Sequence, residues 1–267
     1  MGDRLHNLLK KYDVPGPRYT SYPTVPAWGA MGPEHFKEDL RQLQPNEKLS
    51  LYFHIPFCEK LCHYCGCMKV ITNKKEKSAE YVDFLLKEMG RVASFIPSKK
   101  EERLVNQVHF GGGTPNFLKP EELEQIVSKV KTLFTLTPDY EMAIEMHPRT
   151  TTKEFNEALP RLGFNRISLG VQDFDPKVQE LINRHQTYEM TEEVLVHLRQ
   201  LGLKAFNFDL IYGLPGQTME HWADTLKKVL HLKPNRLAVY SYAHVPWVKP
   251  YQRSFKDSDL PSPEMKL

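Results

Sequence analysis

All four cysteines of this chain fall within one short stretch, Cys58-Glu59-Lys60-Leu61-Cys62-His63-Tyr64-Cys65-Gly66-Cys67. No other cysteine exists for a distant disulfide, and bridges inside so short a loop are sterically poor. The first three form a C-x3-C-x2-C triad directly after a strand-like run, Leu51-Tyr52-Phe53-His54-Ile55-Pro56-Phe57. Clustered thiolates that cannot staple a fold read as metal ligands. Zinc sites are commonly assembled from two separated C-x2-C-type pairs, and the second pair is missing here, although His63 or Cys67 could complete a tetrahedron. Three cysteines on an iron–sulfur cluster instead leave one iron open to an exogenous ligand, which chemistry at the metal requires. The spacing favours the cluster over zinc or an unliganded redox site.

Other suggestive residues fall at the ends of predicted strands. Short apolar runs rich in β-branched and aromatic residues cover roughly 49–55, 105–110, 140–146, 166–171, 204–211 and 236–242, separated by helix-like segments at about 76–95, 120–134, 152–161, 187–201 and 217–231. Lys119-Pro120-Glu121-Glu122 and Thr218 read as helix starts, and Gly163 and Gly202 as C-terminal caps. Leu123, Ile126, Val127, Val130 and Phe134 give one amphipathic face. Such alternation implies parallel strands under covering helices: an α/β fold, either an open or partial (β/α)6 barrel or a sheet wound on both faces. Residues 1–48 read as an extended, proline-rich N-terminal arm, 49–250 as the α/β unit, and 251–267 as the start of a C-terminal region, with Ser262 an N-cap and Pro263 in a first helical turn.

In parallel α/β architectures the active site lies at the carboxyl ends of the strands. The cysteine loop follows the first strand and Gly111-Gly112-Gly113-Thr114-Pro115 the second, where glycines let backbone approach a ligand closely. Glu145 ends the third strand, Gln172-Asp173 follow the fourth, Asp209 lies in the fifth, and Ala243-His244 follow the sixth. Carboxylates on apolar strands are costly to bury unpaired. Glu145 and Asp209 therefore read either as ligand contacts, to a ribose diol or a cationic amino group, or as salt-bridge partners of arginines such as Arg149 or Arg184. His54 and His109 sit on strands beside these motifs, as core histidines or as catalytic ones. His6, His35, His197, His221 and His231 read as surface residues.

Composition narrows the class. Hydrophobic content of 40% and charged content of 26% are those of a globular protein, and a net charge of +3 is too small to argue for nucleic acid. Lys74-Lys75-Glu76-Lys77 reads as a solvated loop. No apolar run approaches the ~20 residues that span a bilayer, and Met1–His6 has no signal-peptide core. With reduced thiols, these features place the protein in a cytoplasm.

The motifs resemble those of the radical S-adenosylmethionine (SAM) superfamily and, more narrowly, of the oxygen-independent coproporphyrinogen III oxidases. The resemblance is carried by Pro17-to-Thr24, Tyr52-to-Cys58, Cys65-Gly66-Cys67, His109-to-Pro115, Gly170-to-Phe174 and Asp209-to-Pro215. It implies a radical SAM partial (β/α)6 barrel with a [4Fe–4S] cluster on Cys58, Cys62 and Cys65, and Cys67 as a catalytic non-ligand. It also implies two SAM molecules. The first would meet Tyr52, Gly112 and Glu145; the second would meet Tyr64, Gly113, Thr114, Gln172, Arg184, Asp209 and Ala243. His147 sits where the family often carries an acid, in an E-x-D-P-R stretch. Further implications are a tetrapyrrole substrate, an electron donor such as flavodoxin or ferredoxin, and a monomer. The family continues into a mostly helical C-terminal domain that helps enclose substrate; uncoupled SAM cleavage is expected of a chain without it. The same scaffold also serves haem-degrading methyltransferases and haem-trafficking chaperones. The chaperones usually lack the cysteine at position 67 and the Pro-Arg-Tyr-Thr-Ser-Tyr-Pro-Thr arm found here.

Overall fold

A computed structural model describes residues 7, 8, 11, 24 and 27–266. The Pro17-to-Thr24 motif falls almost entirely outside the described residues. The segment that follows departs from the expected extended arm: Pro33–Gln42 form helix α1, with proline in the first turn, Glu34 beside it and Arg41 in the last. Those signals complement the helix dipole.

From there the alternation holds. Strand β1 (Leu49–Ile55) runs into a two-residue strand, β2 (Phe57–Cys58), and after the cysteine loop into β3 (Val70–Ile71). Then follow α2 (Glu76–Ser94), β4 (Leu104–Gly112), α3 (Pro120–Leu133), β5 (Thr135–Met146), α4 (Lys153–Leu162) and β6 (Arg166–Gln172). A short helix absent from the sequence reading, α5 (Pro176–Leu181), precedes α6 (Tyr188–Gln200), β7 (Ala205–Tyr212), α7 (Met219–Leu232) and β8 (Arg236–Ser241). The caps are those expected. Gly163 closes α4 at φ 102°, Thr218 accepts the His221 N–H, and Lys119 N–H meets the Glu122 carboxylate at 2.8 Å. Ser262 does cap the turn Pro263–Lys266, its Oγ accepting from Met265 N–H at 3.4 Å.

The six long strands form one parallel sheet in the order β1-β4-β5-β6-β7-β8, and β2 pairs separately with β3. This order decides between the two architectures. A doubly wound sheet reverses its strand order at a switch point; here the order follows the chain throughout. Right-handed crossovers then place every covering helix on one face. Accordingly α2, α3, α4, α6 and α7 contact one another in succession. Within the described residues β1 and β8 have one neighbour each, so the barrel is partial. No described helix is long and apolar enough to cross a membrane.

Helices on a single side give β5, β6 and β7 one core-facing set of alternate residues each. Met142, Ile144 and Met146 of β5, Ile167, Leu169 and Val171 of β6, and Phe206, Phe208 and Leu210 of β7 are buried in the main core. Each buried side chain of this size contributes about 1.5–3 kcal/mol. The intervening residues, such as Glu145, Ser168, Asn207 and Asp209, point to the opposite, concave face. Among the described residues that face carries no covering helix, and polar side chains collect there.

Candidate functional site

The concave face and the loops at the strand ends enclose a cavity of about 570 Å³, a volume ordinary for a small-molecule site. Of the residues that the resemblance assigns to the cluster, SAM or catalysis, all line it except Tyr52 and Ala243. Tyr52 is 58% exposed, stacks on His109 and hydrogen-bonds His54 Nδ1 at 3.1 Å. Ala243 is exposed, and its carbonyl accepts from Gln252 Nε2 at 3.3 Å.

The cysteine loop is pinned at both ends and from three sides. Pairing of β2 with β3 closes it, with Val70 N–H donating to Pro56 O at 2.7 Å and Thr72 N–H to Cys58 O at 2.9 Å. His63 N–H reaches Ile182 O at 2.9 Å, and Asn183 Nδ2 reaches Leu61 O at 2.8 Å. From the segment after β8, Tyr251 OH donates to Cys65 O, and Gln252 Nε2 to Tyr64 O at 3.5 Å. Between β1 and the loop, His54 Nε2 meets Met68 O at 3.0 Å. His54 is therefore a structural tie within the site.

Cys58, Cys62 and Cys65 are half-buried at the cavity, and Cys67 is exposed. Burial pushes the Cys58 thiol up, partly offset by Thr114 Oγ1 at 3.2 Å. Cys65 is pulled down to about 6, first by its hydrogen bond with Cys67 and then, against burial, by Lys69. Cys67 is raised by that same bond and by burial. Among the described residues, no three His, Cys, Asp or Glu side chains converge as a single ion requires. Metal–sulfur bonds of ~2.3 Å draw ligands tightly around one zinc, whereas a four-iron cluster spreads its thiolates over a larger body. Three half-buried thiols around an open cavity fit the cluster.

The glycine turn after β4 is required chiefly by the protein's own atoms. A Cβ on Gly111 would lie 2.9 Å from Glu145 Oε1, and one on Gly113 would lie 2.7 Å from the Pro56 backbone. Gly112, at φ 118°, packs against the His54 ring. Gly113 N–H donates to Ile55 O at 2.8 Å, which locks the turn to β1. Gly113→Ala should therefore destabilise the fold by about 1–3 kcal/mol, the usual cost of overpacking. Urea unfolding of the variant measures this, and an unchanged midpoint would show that Pro56 yields freely.

Neither acid forms the salt bridge that the sequence allowed. Glu145 Oε1 meets His109 Nε2 at 2.9 Å, and Gly112 N–H reaches its other oxygen at 3.3 Å. Asp209 accepts from Ser168 Oγ at 3.1 Å and from Asn207 Nδ2 at 2.8 Å. Burial holds the Asp209 carboxyl above its ordinary range, while Ser168 and Asn207 pull it back. Both carboxylates are anchored on one side and face the cavity on the other. Asp173 belongs elsewhere: fully buried, it accepts from Asp175 N–H, Thr225 Oγ1 and Gln217 Nε2, and organises the loop before α5.

Arg184 lies across the cavity wall. Its Nη1 meets Tyr64 OH at 3.2 Å and Cys62 Sγ at 3.7 Å, and its Nη2 donates to Gly170 O and to Gln186 Oε1 at 3.1 Å. A Cβ on Gly170 would come within 2.9 Å of that guanidinium. Gln172 sits in the left-handed region at φ 68°, a strain of roughly 1–3 kcal/mol for a non-glycine residue. Sequence reasoning passed over Ser168, Asn207 and the Arg166–Glu141 pair, which bond at 2.7 Å on the same face. Their period-two placement within apolar strands was the available signal.

A model of the radical SAM superfamily matches residues 52–229. The chain belongs to that superfamily. Membership implies a [4Fe–4S] cluster and SAM. This radical SAM chain is 43% identical to the oxygen-independent coproporphyrinogen III oxidase of Escherichia coli (strain K12) over 261 residues, 97% of this chain and 56% of that protein. The Helicobacter pylori (strain J99) oxidase is 44% identical over 268 residues, with 57% of it covered. The chain thus spans little more than half the length of these relatives. The solved structure of the Escherichia coli enzyme, described as a radical SAM enzyme, superposes with a TM-score of 0.88 at 42% identity, covering 97% of this chain and 58% of that one.

Proposed function

We propose that this chain carries the radical SAM unit of an oxygen-independent coproporphyrinogen III oxidase. The observation that supports this most is identity above 40%, spread over 97% of the chain, to relatives of that name. The proposed reaction decarboxylates two propionates of coproporphyrinogen III to vinyl groups, each losing a β-hydrogen, carbon dioxide and one electron, to give protoporphyrinogen IX.

Cys58, Cys62 and Cys65 are the cluster ligands in this reading, with Cys67 next to them at the reacting centre. Together the reduced cluster and SAM supply a carbon-centred radical that removes the β-hydrogen. The chain's residues bind and orient. Tyr52, Gly112 and Glu145 serve the first SAM. Tyr64, Gly113, Thr114, Gln172, Arg184, Asp209 and Ala243 serve a second, bound on the same face. Glu145 and Asp209, each steadied from behind, offer acceptors to a ribose diol or an ammonium group. In this reading residues 1–48 are an N-terminal unit, 49–250 the barrel, and 251–267 the start of a C-terminal region that begins with Tyr251 and Gln252 bonded to the cysteine loop. A one-electron donor of the flavodoxin or ferredoxin kind, a monomeric state and a cytoplasmic setting complete the proposal.

Anaerobic incubation of the reconstituted chain with dithionite, SAM and coproporphyrinogen III tests it by chromatography. The expected products are 5′-deoxyadenosine and methionine, with any porphyrin product singly or doubly decarboxylated and below one per SAM cleaved. Methylated haem products, or tight haem retention without SAM cleavage, would point to another member of the superfamily.

A further inference from the structure

Three of the six lysines and arginines on the cavity wall have partners among the described residues. Arg166 is paired with Glu141, Arg184 with Tyr64 and the Gly170 carbonyl, and Lys69 with Tyr251 OH at 3.1 Å. Arg149 differs. It lines the same cavity from the turn after β5. Its backbone N–H donates to His147 Nδ1 at 3.3 Å, but its guanidinium has no carboxylate or hydrogen-bond acceptor among the described residues, and its Nε is fully buried. Burial of an unmatched cationic donor is costly unless a ligand brings the acceptor.

Among the described residues, no acid of the cavity bonds Arg149: Glu141 pairs with Arg166. His147, at the position where an acid would have stood beside it, is held neutral first by burial and then by Arg184 and Arg149. Glu145 and Asp209 already accept hydrogen bonds from His109, Ser168 and Asn207. Arg184 adds a second buried, unpartnered Nε on the same wall. The wall thus holds two guanidiniums, each with a buried and unpartnered Nε, and a planar guanidinium suits a carboxylate in a two-point contact.

We propose that Arg149 is a carboxylate-recognition residue of this cavity. The carboxylate has two possible sources: the methionyl end of a bound SAM or a propionate of the tetrapyrrole. The second source rests on the function proposed above; the first needs only superfamily membership.

Two titrations of the full chain separate the sources. In one, SAM binds the anaerobically reconstituted protein in a calorimeter. In the other, coproporphyrin III, a tetracarboxylate, is followed by its fluorescence, with its tetramethyl ester as the charge-free control. Arg149→Gln is expected to weaken one carboxylate ligand at least ~10-fold, with Arg149→Lys recovering part of the loss and the ester unaffected. A fall for coproporphyrin III assigns a propionate; a fall for SAM assigns the methionyl carboxylate. If both affinities are unchanged, or if the ester weakens as much as the acid, Arg149 is not reading a carboxylate and the proposal fails. If wild-type protein binds no coproporphyrin III while SAM binding depends on Arg149, the tetrapyrrole reading falls and the carboxylate site stands.

Discussion

Serine at Cys58, Cys62 or Cys65 is expected to abolish the iron–sulfur absorbance of anaerobically reconstituted protein, while Cys67→Ser retains it. The difference follows from placement. Three of the thiols are half-buried at the cavity, on a loop whose backbone is held at Leu61, Tyr64, Cys65 and Met68 by residues from three other parts of the chain. Cys67 is exposed and reaches the others only through Cys65. A hydroxyl in place of a thiolate loses the soft ligand that iron–sulfur clusters require. With only three protein ligands, loss of one leaves two, so the effect should be near complete. Iron and sulfide analysis, together with the visible spectrum, gives the readout. Cluster loss in the Cys67 variant with retention in any of the other three would overturn the assignment.

How much of this could be read from the residues alone depends on the distance over which each feature is determined. The cysteine loop, the glycine turn and the helix caps are local, and the structure places them as the spacing implies. The strand order was not legible, because a partial barrel and a doubly wound sheet share one alternating pattern and differ only in which strands become neighbours. Helix α5 was missed although Asp175-Pro176 marks its start; Asp175 Oδ1 caps it by accepting from Lys177 and Val178 N–H at 3.0 Å each. At 6 residues it is too short for a periodic apolar face to show.

The acids show the other limit. Phe206-Asn207-Phe208-Asp209-Leu210 looks like a nearly continuous buried strand, in which Asp209 would need a cation. Helices on only one side of the sheet turn the same string into two faces, and Asp209 meets Ser168 from the neighbouring strand rather than an arginine. Asp173, one residue beyond Gln172, looked equally chemical and is a buried loop organiser. Both are acids beside or within an apolar strand, Asp209 inside β7 and Asp173 one residue past β6. Only parity within the strand and the partner across it distinguish them.

That setting makes Asp209 testable in two opposed directions. Asp209→Asn should weaken SAM binding about tenfold or more, because a hydrogen bond to a charged group contributes about 1.5–3 kcal/mol. The same substitution should stabilise the ligand-free fold at neutral pH. Burial raises the Asp209 pKa in the folded chain, so folding favours its protonated form. The stability associated with that proton is complete below the unfolded carboxyl's pKa and is lost as pH rises through the folded one. At neutral pH the wild-type chain carries an ionised, half-desolvated carboxylate with only Ser168 and Asn207 as donors. Asparagine keeps the shape and stays neutral, since its amide oxygen can accept from Asn207 while its amide nitrogen faces the Ser168 hydroxyl. The melting-temperature difference between variant and wild type should therefore grow from acidic to neutral pH, while calorimetry shows weaker SAM binding throughout. A residue kept for the fold alone would behave in the opposite way, with a less stable variant and unaltered SAM affinity. That outcome would remove Asp209 from the SAM site and leave it as a structural partner of Ser168 and Asn207.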